Sequence, residues 1–245
     1  MVQAFQPYGS SGNPAAARNG RGECARAMNW AKLRQAPWLD TRAKFVSRIC
    51  PDGALLDLGS ADGETLRHFA ELRPDLRLFA ADLSPHPELY PPNCRVHQGD
   101  LQKDPLPWSD GSMNGVTCMH LVEHMHDLSL LIREVKRLLQ PGGEVYFETP
   151  HPKTVALPSP RGSAVSTFTL NFYDDPTHVK PVATGALAQL VETEGLHVLG
   201  SGTSRNWLFA ASHLFYQFLP ASRQKYTARV HWLGWSAYLI ARRIS

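Results

Sequence analysis

The chain has 245 residues, 43% of them apolar and 19% charged, an ordinary globular balance with material for one large core. Its four cysteines (Cys24, Cys50, Cys94, Cys118) form no C-x-x-C pair, which argues against a zinc ribbon or disulfide framework and suits a reducing cytosol. The net charge of +3 hides a division: residues 1–50 hold eight Lys/Arg against Glu23 and Asp40, residues 200–245 hold six and no acid, and the middle holds 11 basic and 20 acidic side chains.

In chain order, residues 1–24 are rich in small and polar residues and lack an apolar signal core, so they read as a flexible leader before a single domain over 25–245. Between 25 and 49, apolar and basic residues mix, giving one or two helices broken at Pro37. Short apolar runs then alternate with helical patterns. Strands are expected over 54–58, 76–81, 94–97, 115–119, 144–148, 197–200 and 237–242, and helices over 64–72, 129–139 and 185–194. The stretch 206–235 is aromatic and basic and reads as a helical cap inserted before the last strand. Its most apolar part, 207–219, is broken by Ser212, His213 and Gln217 and is shorter than the ~20 residues of a membrane span. A soluble, cytoplasmic protein is the expectation. Strands that are nearly continuous apolar runs, alternating with helices, imply an α/β fold with a doubly wound, mostly parallel seven-stranded sheet.

Ligands of such sheets bind beyond the carboxyl ends of the strands. The first strand here runs into Asp57-Leu58-Gly59-Ser60-Ala61-Asp62-Gly63 and directly into a helix. A dinucleotide loop, G-x-G-x-x-G/A, would need a small residue where Glu64 stands, and that glutamate would repel a pyrophosphate. An NAD-dependent oxidoreductase is therefore a poor reading. Asp82 ends the second strand 19 residues after Gly63, where a carboxylate can accept hydrogen bonds from both ribose hydroxyls. Gly99-Asp100-Leu101 follows the third strand.

The D-x-G-x-A-x-G spacing resembles the first motif of class I S-adenosylmethionine-dependent methyltransferases, with Ala61 in place of the usual middle glycine. The segments from Leu106 to Ser112, His120 to His124 and Arg133 to Gly143 resemble the type 11 and type 23 branches of that class. The resemblance implies cofactor contacts from Asp57, Gly59, Ser60, Ala61, Gly63, Asp82, Leu83, Asp100, Leu101 and His120, with the acidic residue after the third strand meeting the adenine amino group.

Methyl transfer from a sulfonium is an in-line displacement, so the acceptor must be held ~3–3.5 Å from the methyl carbon. A hydroxyl acceptor also needs a base, and histidine titrates in the right range. Glu123, His124 and His178 are the catalytic candidates, beside His126 and His151, and Trp30, Trp38 and the cap are expected to close over the site. His120, Glu123, His124 and His178 also resemble the divalent-ion cluster of plant small-RNA 2′-O-methyltransferases and, less fully, ubiquinone-pathway O-methyltransferases. His120 stands where those have glutamate, so a divalent metal is not favoured, magnesium least of all.

The segment Asp174-Asp175-Pro176-Thr177-His178-Val179-Lys180-Pro181 resembles one in bacterial methyltransferases of surface polysaccharides. O-methylation of a small-molecule or glycan-linked hydroxyl is the leading expectation. Both basic ends suit an anionic partner: a phosphorylated acceptor, a lipid surface in peripheral contact or, lower in rank, nucleic acid. An RNA methyltransferase and a non-catalytic S-adenosylmethionine-binding partner stay open as alternatives.

Overall fold

The computed structural model describes residues 29–159 and 170–245, so the expected leader at 1–24 lies outside the described residues. Seven strands form one sheet: β1 (Ala54–Leu58), β2 (Arg77–Asp82), β3 (Arg95–Gln98), β4 (Met113–Met119), β5 (Leu139–Pro150), β6 (His197–Ser204) and β7 (Ser236–Arg242). Their spatial order is β3-β2-β1-β4-β5-β7-β6. Neighbours are parallel except for β7, which runs antiparallel to both β5 and β6. The reversal between β1 and β4 places the switch point of the sheet at their carboxyl ends.

Six helices lie among the described residues: α1 (Thr41–Val46), α2 (Glu64–Leu72), α3 (Ser129–Leu138), α4 (Thr184–Thr193), α5 (Trp207–Tyr216) and α6 (Arg223–Leu233). Because successive strand side chains point to opposite faces, β1 feeds two cores at once. Leu56 and Leu58 join Val116, Cys118, Val145 and Phe147 under α3 and α4, whose Ile132, Val135, Leu187 and Val191 complete that layer. Leu55 faces the other way, with Phe45, Val46, Leu66, Phe69 and Tyr146. Phe69 and Leu66 are fully buried, each stabilising the α2 contact by roughly 1.5–3 kcal/mol.

Two expectations are corrected by packing. Trp30 stacks on His68 at 4.5 Å and is buried in the second core, so it props α2 and is not poised over the strand ends. The fifth strand begins at Leu139, directly after α3, and includes Pro141-Gly142-Gly143 rather than following them. Its first turn is held by Arg243, which donates to the carbonyls of Lys136, Arg137 and Leu139. The segment 29–49, expected to hold one or two helices, contains one short α-helix after Pro37 and two 3-10 turns.

The helical insertion before the last strand is present as α5 and α6. It is tied down by one buried polar cluster. Asp40 caps α1 through the amides of Arg42 and Ala43 and also accepts from Asn206 Nδ2 at 3.0 Å. Asn206 in turn caps α5 through Leu208 and Phe209, and its own amide donates to His231 Nδ1 on α6 at 3.1 Å.

Candidate functional site at the carboxyl ends of β1, β2 and β4

The β1–α2 turn passes through three positive φ angles, Gly59 (71°), Ala61 (42°) and Gly63 (71°). Glycine adopts this region freely, while alanine is disfavoured there by about 1–2 kcal/mol. A Cβ at Gly63 would stand 2.7 Å from the Tyr90 ring, so packing as well as backbone requires glycine there. The Tyr90 hydroxyl pairs with Ser60 Oγ at 2.8 Å and donates to the Ala61 carbonyl at 2.7 Å. Asp82 locks the turn from β2: its Oδ2 accepts from Ala61 N and its Oδ1 from Ser84 N, each at 2.8 Å. A carboxylate has about four lone-pair positions, so both oxygens keep acceptor capacity for a ligand.

Asp57 is buried in the sheet and accepts from Thr117 Oγ1 at 2.7 Å. Burial lifts its carboxyl to about 7, against the pull of that hydrogen bond and with the Asp82 charge adding to the rise. Leu83 is 45% exposed, and Leu101 packs on the first core. Asp100 turns toward its own loop, where Lys103 Nζ donates to it at 2.7 Å and the Gln102 amide at 3.0 Å.

Beyond β4 the chain enters His120 at φ 52°, another costly left-handed residue, and then a 3-10 turn over Val122–His124. Both ring nitrogens of His120 face carboxylates: Nδ1 meets Glu123 Oε1 at 3.1 Å and Nε2 meets Glu148 Oε1 at 3.3 Å. Burial disfavours its charged form, yet the two carboxylates outweigh burial and raise its pKa to about 9. His120 is thus a cation at neutral pH with its ring committed to protein partners. The His120 ring is thereby held by Glu123 and Glu148.

Glu148, which sequence reasoning missed, is the hub. It receives Arg42 on both oxygens (2.7 and 3.1 Å), Tyr146 OH at 2.6 Å and Ser204 Oγ at 2.7 Å. Burial opposes its ionisation, but Arg42 and His120 hold it well below the usual carboxylate range.

Glu123 is buried; burial opposes its charge, but His120 keeps it ionised below its ordinary value. Its second oxygen, Oε2, is buried and has no hydrogen-bond partner among the described residues. A carboxylate oxygen of Glu123 and a ring nitrogen from each of His124 and His178 lie within 4.8 Å of one another. The segment carrying His178 is pinned here by the Val179 amide, which donates to the Glu123 carbonyl at 2.8 Å. His178 Nδ1 faces the Phe172 carbonyl at 2.6 Å, and burial lowers its pKa. His126 is exposed, and His151 caps its own turn through Lys153 N, so neither joins the group.

A seven-stranded sheet in this order with β7 reversed, and a glycine turn between β1 and α2, is the class I S-adenosylmethionine-dependent methyltransferase fold. The methyltransferase-domain family profile matches residues 30–200, and the chain belongs to that family. It is 35% identical over 133 residues to malonyl-[acyl-carrier protein] O-methyltransferase of Dechloromonas aromatica, covering 49% of each chain. It is 34% identical over 120 residues to ubiquinone biosynthesis O-methyltransferase of Xanthomonas axonopodis pv. citri, covering 44% of this chain and 48% of that one. The chain thus spans about half the length of the curated relatives it matches. Among solved structures, an S-adenosylmethionine-dependent methyltransferase of Mesorhizobium loti superposes with a TM-score of 0.56 at 18% identity, over 86% of this chain and 98% of that one. A Haloferax volcanii putative methyltransferase, solved with its Trm112 activator, gives 0.59 at 15% identity, over 90% and 100%. These two likenesses concern fold. No helix among the described residues is long and apolar enough to cross a membrane.

Proposed function

We propose that the chain transfers a methyl group from S-adenosylmethionine to a hydroxyl of a small-molecule or glycan-linked acceptor. The observation that carries this is the meeting of two half-sites at adjacent strand ends. One is the left-handed Gly59–Gly63 turn clamped by Asp82, and the other is the Glu123, His124 and His178 group after β4.

In this reading the amides and small residues of the turn hold the amino-acid end of the cofactor, with Asp57 beneath it. Asp82 accepts from the ribose hydroxyls and Asp100-Leu101 borders the adenine. The cofactor supplies an electrophilic methyl on a positively charged sulfur. The acceptor oxygen bonds to that carbon as the carbon–sulfur bond breaks, S-adenosylhomocysteine leaves uncharged, and the hydroxyl proton must be taken up. His120 cannot take it, being already protonated, so the hydroxyl falls to the group of Glu123, His124 and His178.

The α5–α6 pair supports an anionic, partly apolar acceptor such as a lipid-linked sugar phosphate. Trp207, Leu214, Phe215 and Phe218 form an outward stripe on and just beyond α5, with Phe218 82% exposed. No acid follows Glu194, while Arg205, Arg223, Lys225 and Arg229 lie in the same region. Burial raises the carboxyl of Glu64 at the glycine turn, and Arg223, at the head of α6, is within electrostatic reach to oppose that rise.

The test is calorimetric titration with S-adenosylhomocysteine. Wild-type protein is expected to bind it, and Asp82→Ala to bind at least tenfold more weakly, about 1.4 kcal/mol. Folded wild-type protein that fails to bind after removal of any copurified ligand would end this reading.

A further inference from the structure

Ala61 is the strained alanine of the turn after β1, and both of its backbone polar groups are held by side chains from outside that turn. Its amide donates to Asp82 Oδ2 at 2.8 Å, and its carbonyl accepts from the Tyr90 hydroxyl at 2.7 Å. A non-glycine residue at φ 42° persists only where its surroundings over-determine it. Tyr90 has one hydroxyl proton and a carbonyl can only accept, so that proton goes to Ala61. The bond to Ser60 Oγ at 2.8 Å then runs from serine to tyrosine. Among the described residues, both hydrogen bonds of the hydroxyl therefore end on the turn. The ring has a separate place in the second core with Leu66 and Phe69, where phenylalanine would pack as well. Burial raises the hydroxyl above its ordinary range, with the Asp82 and Asp57 charges adding to the rise, so Tyr90 stays a donor at neutral pH. Arg67 of α2 ties the same two segments together again: its Nη1 donates to the carbonyls of Asp62 in the turn and of Leu89 beside Tyr90.

We infer that Tyr90 is a positioning residue for S-adenosylmethionine, bracing the turn through the Ala61 carbonyl in the conformation that receives the amino-acid end of the cofactor. Asp82 and Tyr90 divide the work. Asp82 holds the peptide before Ala61 and Tyr90 the peptide after it. In a trans peptide the N–H points away from the C=O, so the Tyr90 bond also sets the direction of the Asp62 amide. Ribose hydroxyls bound at Asp82 would share its lone pairs with the Ala61 amide, so that hold is the one a ligand competes for. The Tyr90 hydroxyl spends both bonds on protein, and its hold is the same with or without ligand. A turn fixed before binding spares the ligand the cost of ordering it. Tyr90 thus acts through Ala61 without touching the cofactor. The inference rests on the cofactor placement proposed above and is independent of which acceptor is methylated.

The experiment is calorimetric titration of the full chain, as wild type, Tyr90→Phe and Asp82→Ala, with two ligands. One is S-adenosylhomocysteine; the other is 5′-deoxy-5′-methylthioadenosine, which keeps the adenine and ribose and lacks the amino-acid end. Tyr90→Phe keeps the ring and loses one hydrogen bond, so it is expected to bind S-adenosylhomocysteine about tenfold more weakly and methylthioadenosine within about twofold of wild type. Asp82→Ala should weaken both ligands, because both carry the ribose. In the ligand-free protein, hydrogen exchange at the Ala61 amide, followed by NMR, should be about tenfold faster in Tyr90→Phe. The amides of Leu56 and Leu58 in β1 should keep their wild-type rates and so report an intact sheet. Unchanged affinity for S-adenosylhomocysteine, equal loss of both ligands or an unchanged Ala61 exchange rate overturns the brace. If wild type binds neither ligand while Ala61 exchange still quickens in Tyr90→Phe, the brace on the turn stands and the cofactor placement falls.

Discussion

Two single residues carry strain or charge that function explains better than stability does. Ala61 sits at φ 42° where glycine is at ease. Ala61→Gly is expected to raise the unfolding free energy by about 1 kcal/mol, read by urea denaturation, unless entropy gained by the unfolded chain cancels it. Asp57 has a folded-state pKa raised to about 7, above the ordinary 3.8 of its unfolded state. Between those values the native protein binds the extra proton, so this residue's contribution is full below about pH 4 and declines as pH rises toward 7. Wild type should lose stability relative to Asp57→Asn across that window, by an amount on the order of a few kcal/mol at most, measured by denaturation at pH 5 and pH 8. No change in the difference between the two proteins would mean that Asp57 stays ionised throughout.

Elements are joined here by buried polar clusters as much as by apolar contact. Asn206 caps α5 and pairs with Asp40, the cap of α1. Asn206→Ala removes a cap and leaves a buried carboxylate short of a donor, which should cost roughly 2–3 kcal/mol in thermal or chemical unfolding. A loss below about 0.5 kcal/mol would show that water replaces the amide. Around Glu148, three elements meet: Arg42 comes from α1, Tyr146 from β5 and Ser204 from β6. Glu148→Ala would remove the buried carboxylate that Arg42 and His120 share, and a loss of about 3–5 kcal/mol is expected in chemical unfolding.

Charge is divided along the whole molecule: residues 51–199 hold 11 basic and 20 acidic side chains, while the α5–α6 insertion is basic and exposes Trp207, Phe215 and Phe218. If α5 meets an anionic amphiphile, Phe215→Ser with Phe218→Ser should reduce sedimentation with phosphatidylglycerol vesicles about tenfold, and added salt should weaken wild-type binding. Equal sedimentation of both proteins would separate the aromatic stripe from the acceptor.

Sequence alone marked the seven strands, the glycine turn after β1 and the Asp82 position, because continuous apolar runs, turn glycines and strand-end acids are local signals. It also marked Glu123, His124 and His178, through types and short spacings. The partnership of Glu148 with Arg42 was not legible, since those residues are 106 positions apart and a buried strand glutamate looks like any polar strand end. The fate of His120 was hidden for the same reason. Its neighbours Glu123 and His124 suggested one ligand set, but Glu148, brought alongside by β4–β5 pairing, draws the His120 ring away from His124 and His178. Which carboxylate holds which imidazole is decided by the register of adjacent strands, and that exists only once the sheet has formed.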